Sequence, residues 1–123
     1  MAKILLVDDE PNIRMVFSAD LAEDGHQVIE AETGGEAFDI LAREPVDLIV
    51  LDIKLKAESG LDILQKIVAQ YPLIPVILCS AYVSFQDDYT SWLARSYVVK
   101  STDPKELLQE VRRVLGETKG QSA

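Results

Sequence analysis

The sequence predicts an α/β fold, a doubly wound five-stranded parallel sheet flanked by five helices. Five short apolar runs recur along the chain, with helix-period segments between them. Several of these runs are nearly continuous in Val, Ile and Leu, as is typical of parallel strands buried on both faces. Right-handed crossovers between such strands place helices on both sides of the sheet. The predicted strands are residues 4–7, 27–31, 48–51, 75–79 and 97–99.

Local signals predict where the helices begin and end. The first helix follows Pro11, which suits a first helical turn, and stops near Gly25. The second starts after the Gly34-Gly35 pair, the third near Gly60, and the fifth just before Pro104. The fourth has the weakest pattern, and we expect it to be short or irregular. The residues on its shared face are Phe85, Tyr89, Trp92 and Leu93.

Length and composition limit the possible functions. The chain has 123 residues, of which 48% are hydrophobic and 27% charged, and this fits one globular domain. We predict a domain over residues 1–118 and a flexible C-terminal tail over residues 119–123. The net charge of −9 disfavours direct binding to nucleic acids or to anionic membranes.

The apolar segments indicate a cytoplasmic protein. No apolar stretch reaches membrane-spanning length, and the N-terminal apolar run is too short for a signal peptide. The single cysteine, Cys79, excludes an internal disulfide. Because Cys79 lies within an apolar run, we expect it to be a small buried hydrophobic residue rather than a reactive thiol.

Polar residues follow four of the predicted strands. In this architecture ligands bind beyond the carboxyl ends of the strands, so these residues share one edge of the sheet. The first strand ends in Asp8-Asp9-Glu10 and the third in Asp52. The fourth ends in Ser80 and the fifth in Lys100. Carboxylates, a hydroxyl and an ammonium are therefore expected to converge although they are distant in sequence.

These residue types favour metal-assisted phosphoryl transfer. Clustered carboxylates repel one another and require a cation, and oxygen ligands without His or Cys favour Mg²⁺ or Mn²⁺. Asp52 stands alone at its strand end and is the best candidate for the nucleophile. Lys100 would contact a phosphoryl oxygen as a point charge, and Ser80 would donate a hydrogen bond.

The order of these residues resembles the receiver domain of bacterial two-component response regulators, the CheY-like family. The matching features are the Asp8-Asp9 pair, Asp52 at the end of an apolar strand, and Gly60 eight residues later. Ser80-Ala81 matches the family's pair of a hydroxyl and a small residue, and residues 97–100 match its aromatic residue and lysine. The resemblance covers nearly all of the chain. It implies a flavodoxin-like fold with the strand order 2-1-3-4-5.

The resemblance also implies a chemical role for the site. Asp52 would accept a phosphoryl group from a sensor histidine kinase, a phosphotransfer protein or a small phosphodonor. Asp8, Asp9, Asp52 and the backbone carbonyl of Lys54 would hold Mg²⁺. Such a domain catalyses only its own phosphorylation and dephosphorylation, so it is a signalling switch rather than an enzyme with a separate substrate.

Family resemblance further implies an output. Ser80 and Tyr97 would form the switch pair, which reshapes the face made by the fourth helix, the fifth strand and the fifth helix. That face would bind a downstream protein. Lys54 and Tyr82 occupy positions that influence hydrolysis of the acyl phosphate, and we expect their long side chains to restrict access of water to the phosphoryl group.

Several positions depart from the family pattern. Leu55-Lys56 replaces the usual Met-Pro, and Ser80 replaces the commoner Thr. Lys100-Ser101 replaces a Lys-Pro pair that has a cis peptide bond. Since a cis bond before a residue other than proline costs about 3–4 kcal/mol, we predict a trans Lys100–Ser101 bond.

Other classes of protein fit the sequence less well. A phosphatase of the haloacid-dehalogenase type would require an Asp at the position of Lys54. A flavodoxin-like FMN carrier would require a phosphate-binding loop in place of the acidic residues 8–10. A degenerate receiver that acts only as a phosphorylation-independent docking domain stays open, because Lys56 and Ser101 are atypical.

Overall fold

The computed structural model describes residues 2–55, 58–80, 93–99 and 105–122, with side chains described as far as residue 116. Strands and helices alternate along the chain as far as the fourth strand. The elements in chain order are β1 (Lys3–Val7), α1 (Pro11–Glu23), β2 (Gln27–Ala31), α2 (Gly34–Arg43), β3 (Leu48–Asp52), α3 (Gly60–Gln70), β4 (Val76–Ser80), β5 (Ser96–Val99) and α4 (Lys105–Ser122).

The sheet has the predicted topology. All four strand pairs are parallel, and the order is β2-β1-β3-β4-β5. The residues that define the predicted fourth helix, apart from Leu93, fall within residues 81–92, which lie outside the described residues. The described part of the chain holds four helices, and its last helix, α4, is the fifth predicted one. This helix continues to Ser122, so it includes most of the segment that we predicted as a tail.

The two faces of the sheet bury separate apolar clusters. Alternate residues of each central strand point to opposite faces. Leu5 and Ile49 belong to the cluster covered by α2 and α3, whereas Ile4 and Leu48 belong to the cluster covered by α1 and α4. Burial on both faces explains why these strands read as continuous apolar runs. Cys79 is only 2% exposed, as predicted for a small buried hydrophobic residue.

The helices of the described residues lack the combination of length and apolar character that a membrane span requires.

Candidate functional site

Three buried carboxylates meet at the carboxyl end of the two central strands. Asp8 and Asp9 directly follow β1, and Asp52 is the last residue of β3. Because Val7 pairs with Leu51, Asp8 and Asp52 emerge side by side. The three side chains belong to residues that are only 2%, 7% and 4% exposed.

Glu10 extends this acidic group. The carboxylate oxygens that Asp8, Asp9, Glu10 and Asp52 can offer lie within 4.8 Å of one another, and Glu10 is the exposed member. The sequence placed Glu10 in the same acidic triplet but did not assign it as a ligand. The four residues supply oxygen donors and no imidazole or thiolate, so the donor set fits a hard divalent cation.

Hydrogen bonds fix the loop between β1 and α1. The Asp8 N–H donates to the carbonyl of Ala31 at 3.1 Å, and the Glu10 N–H donates to Asp8 Oδ1 at 2.9 Å. Arg14 Nη1 donates to the backbone carbonyl of Asp8 at 2.6 Å. The Arg14 guanidinium is itself held by Glu30 on β2, at 3.3 Å between Nε and Oε1. Arg14 therefore orients the backbone of the loop from outside the carboxylate cluster.

The turn after Asp52 is unusually tight. The Gly60 N–H donates to the carbonyl of Ile53 at 2.6 Å, and Lys54 and Ser59 form an isolated antiparallel bridge. A Cβ atom on Gly60 would overlap the backbone oxygen of Asp52 and lie 2.6 Å from Ile53 Cα. Only glycine fits this close approach to the backbone of the candidate acceptor.

Lys54 enters the site through its backbone. Its N–H lies 3.4 Å from Asp52 Oδ1, a long hydrogen bond, whereas its side chain is exposed. The assignment of its carbonyl as a metal ligand stays a prediction. An exposed side chain at this position is compatible with the predicted influence on access of water to the phosphoryl group.

Ser80 and Tyr97 are brought together by strands β4 and β5. Ser80 is 1% exposed at the end of β4, where it pairs with Val99. Tyr97 pairs with Leu78, packs against the cluster covered by α2 and α3, and shares a side-chain hydrogen bond with Ser80. The predicted switch pair is therefore in contact, and its switching role stays a prediction.

Burial raises the pKa of the Tyr97 phenol above its ordinary value of 10.0, while the hydrogen bond to Ser80 acts in the opposite direction. The contribution of the neutral phenol to stability is thus present below pH 10 and is lost as the pH rises through the higher folded-state pKa. We expect the Cζ resonance of Tyr97, assigned with Tyr97→Phe, to titrate above 10.0. Ser80→Ala should raise this pKa further. A pKa below the ordinary value, or a decrease in Ser80→Ala, would contradict this account.

Several predicted site residues lie outside the described part of the chain. They include Lys100, Tyr82 and Lys56, and also the Lys100–Ser101 peptide bond. Their predicted roles and the predicted trans bond are neither supported nor contradicted by the geometry. Val99, which precedes Lys100 in sequence, ends β5 beside Ser80 at the same edge of the sheet as Asp52.

Fold and site together define a class of doubly wound parallel-sheet proteins with a buried carboxylate cluster at the carboxyl edge of the sheet. A family model described as the response regulator receiver domain matches residues 4–112. The chain belongs to this family, as the resemblance implied.

Curated relatives include both short and long proteins. PilH of Pseudomonas aeruginosa is 32% identical over an alignment of 123 positions, gaps included. This alignment covers 94% of this chain and 98% of PilH. GlrR of Escherichia coli, a transcriptional regulatory protein, is 32% identical over 112 residues, which cover 89% of this chain and 25% of GlrR. The chain spans 25% of GlrR and 48% of a probable transcriptional regulator, ycf27, from Porphyridium aerugineum.

Solved structures share the whole fold. The response regulator TrrA of Thermotoga maritima, crystallised with Mg²⁺ and BeF, is 39% identical, with a TM-score of 0.88 over 92% of this chain and 98% of TrrA. TrrA in complex with the histidine kinase ThkA gives the same identity of 39% and TM-score of 0.88, over 94% of this chain and 99% of TrrA. A receiver domain from Methanospirillum hungatei is 28% identical, with a TM-score of 0.91 over 98% of each chain.

Proposed function

We propose that Asp52 accepts a phosphoryl group from a sensor histidine kinase, a phosphotransfer protein or a small phosphodonor, in a reaction that requires Mg²⁺. The observation that carries this proposal is the burial of the Asp52 carboxylate within the cluster of Asp8, Asp9 and Glu10. Buried carboxylates at this separation repel one another, and a bound divalent cation would stabilise their charged forms. Such a cation would also neutralise charge on an entering phosphoryl group.

Each residue has a defined task in the proposed transfer. An oxygen of Asp52 attacks phosphorus, and the bond from phosphorus to the donor's nitrogen or oxygen breaks as the new O–P bond forms. Asp8, Asp9, Asp52 and the backbone carbonyl of Lys54 would hold Mg²⁺, which supplies electrostatic stabilisation of the transferring group. Lys100 would contact a phosphoryl oxygen, and Ser80 would donate a hydrogen bond to another.

Structures of a relative support a histidine kinase as the phosphoryl donor and Mg²⁺ as the metal. TrrA, 39% identical to this chain, has been crystallised both with Mg²⁺ and BeF and with the kinase ThkA. Because beryllofluoride imitates a phosphoryl group on a carboxylate, the first of these structures favours phosphoryl acceptance by a homologous aspartate. We therefore infer a histidine kinase as the upstream partner.

The output is proposed to pass through the Ser80–Tyr97 pair to the face made by the predicted fourth helix, β5 and α4. On phosphorylation, Ser80 would move toward the phosphoryl group and Tyr97 would turn inward, so that a downstream protein binds this face in one state. We further propose that residues 1–118 form the receiver, that its setting is cytoplasmic, and that it binds no nucleic acid directly. Lys54 and Tyr82 would restrict access of water to the phosphoryl group.

Incubation with acetyl phosphate and Mg²⁺ tests the acceptor directly. Intact-mass spectrometry should show one phosphoryl group on the wild type and none on Asp52→Asn. Asp47→Asn is the matched control, since Asp47 is exposed at the opposite end of β3 and should leave phosphorylation unchanged. Absence of phosphorylation in the wild type, with acetyl phosphate and with a histidine kinase, would favour a docking domain that acts without phosphate.

A further inference from the structure

We propose that Glu58 is a positioning residue of the metal site and acts by tying the turn after Asp52 to the N-terminus of α2. The inference rests on the proposed function, because this turn carries the Lys54 carbonyl. Glu58 Oε1 accepts a hydrogen bond from the Gly34 N–H at 2.6 Å, across 24 residues of sequence. The turn is therefore anchored to a helix from another part of the chain.

The N-terminus of α2 is suited to hold a carboxylate. The first N–H groups of a helix have no partner within the helix, and the helix dipole favours a negative charge there. Thr33 is the N-cap, and its Oγ1 accepts from the Glu36 N–H at 3.1 Å. The Gly34 N–H is left to Glu58, whose charge strengthens the hydrogen bond.

Gly34 makes room for this contact. A Cβ atom at Gly34 would lie 2.7 Å from Glu58 Oε2 and 2.9 Å from Ile63 Cδ1, so the ends of both side chains would have to move aside. At the neighbouring Gly35, a Cβ would meet only Thr33 Oγ1, at an ordinary 3.8 Å. The sequence explained both glycines as signals for the start of a helix. The structure gives Gly34 a second requirement, the approach of the Glu58 carboxylate.

The anchor can act on the site through the backbone. Glu58 directly precedes Ser59, which pairs with Lys54 across the turn, and the Lys54 N–H lies 3.4 Å from Asp52 Oδ1. The hydrogen bond to Glu58 therefore restrains the neighbouring Ser59, and Ser59 is the bridge partner of Lys54. Without the anchor, Glu58 and the bridged pair of Ser59 and Lys54 would be held less firmly, and metal binding would have to restrict them again. Glu58 thus preorganises the Lys54 carbonyl without touching the metal.

Mg²⁺ titration by calorimetry tests this role. Glu58→Ala should weaken Mg²⁺ binding by about fivefold, the equivalent of one lost hydrogen bond, whereas Glu58→Gln, which keeps an acceptor oxygen, should stay within about twofold of wild type. Asp39→Ala, which removes one exposed acid from α2, controls for the change in net charge. An affinity for Glu58→Ala equal to that of Asp39→Ala would overturn the proposal.

A double-mutant cycle separates positioning from general destabilisation. Gly34→Ala should weaken Mg²⁺ binding in the wild-type background, because its Cβ displaces the Glu58 carboxylate, and should weaken it less in the Glu58→Ala background, where only the contact with Ile63 remains. An equal effect in both backgrounds would overturn the proposal. Hydrogen exchange at the Gly34 amide, measured without metal, should accelerate in Glu58→Ala, and unchanged exchange would refute the anchor itself. Failure of the wild type to bind Mg²⁺ would instead overturn the proposed function.

Discussion

Gly60→Ala is expected to lower the free energy of unfolding by about 3 kcal/mol or more and to abolish phosphorylation of Asp52. The added Cβ would overlap the backbone oxygen of Asp52 and crowd Ile53 Cα, and neither atom belongs to a flexible side chain. The clash can be relieved only by moving the end of β3 or the start of α3. Either shift moves the acceptor away from the carboxylates that follow β1.

Urea unfolding and phosphorylation by acetyl phosphate measure the two consequences of Gly60→Ala. Gly116→Ala is the matched control, because a Cβ there would meet nothing within 4 Å, and Gly116 lies in α4. That substitution should stabilise the protein by up to about 1 kcal/mol, since alanine favours helix over glycine. A Gly60→Ala variant that keeps wild-type stability would show that the turn can relax, and our account of the close approach would be wrong.

Asp9→Asn is expected to weaken Mg²⁺ binding by about 100-fold or more, since even residues outside the ligand shell change metal affinity by 10–100-fold. In the absence of metal, the same variant should be more stable than wild type. It removes one negative charge from a group of carboxylates whose ligand atoms lie within 4.8 Å of one another. The expected changes in metal affinity and in metal-free stability therefore have opposite signs.

Thermal unfolding with and without Mg²⁺ shows both changes for Asp9→Asn. A free Mg²⁺ concentration of 100 times the dissociation constant should raise the free energy of unfolding of the wild type by about 2.7 kcal/mol. Asp9→Asn should lose most of this gain. Asp62→Asn, an exposed acid in the first turn of α3, is the control for charge and should keep the response to Mg²⁺. A full response to Mg²⁺ in Asp9→Asn would exclude Asp9 as a ligand.

The convergence of Asp8, Asp9 and Asp52 could be predicted from the sequence because it follows from strand topology. Apolar runs identify parallel strands, parallel strands place their carboxyl ends at one edge, and the polar residues at those ends must then meet. Ser80 and Tyr97 came together for the same reason, as neighbouring strands aligned in register.

Contacts between loops and helices could not be predicted in this way. The hydrogen bond from Gly34 to Glu58 and the ion pair of Arg14 with Glu30 depend on how side chains extend from separate elements. No periodic pattern encodes such pairs. The start of α2 was also predicted slightly late, after the glycine pair, because the capping role of Thr33 outweighs the low helix propensity of Gly34.

The close approach at Gly60 has an electrostatic consequence. It brings the first residue of α3, which lies at the positive end of that helix's dipole, against the backbone of Asp52. We therefore expect part of the charge compensation for the acidic residues to come from the aligned peptide groups of α3, which do not titrate. This contribution does not depend on a bound metal, and a substitution removes it only by moving the helix, as we expect for Gly60→Ala.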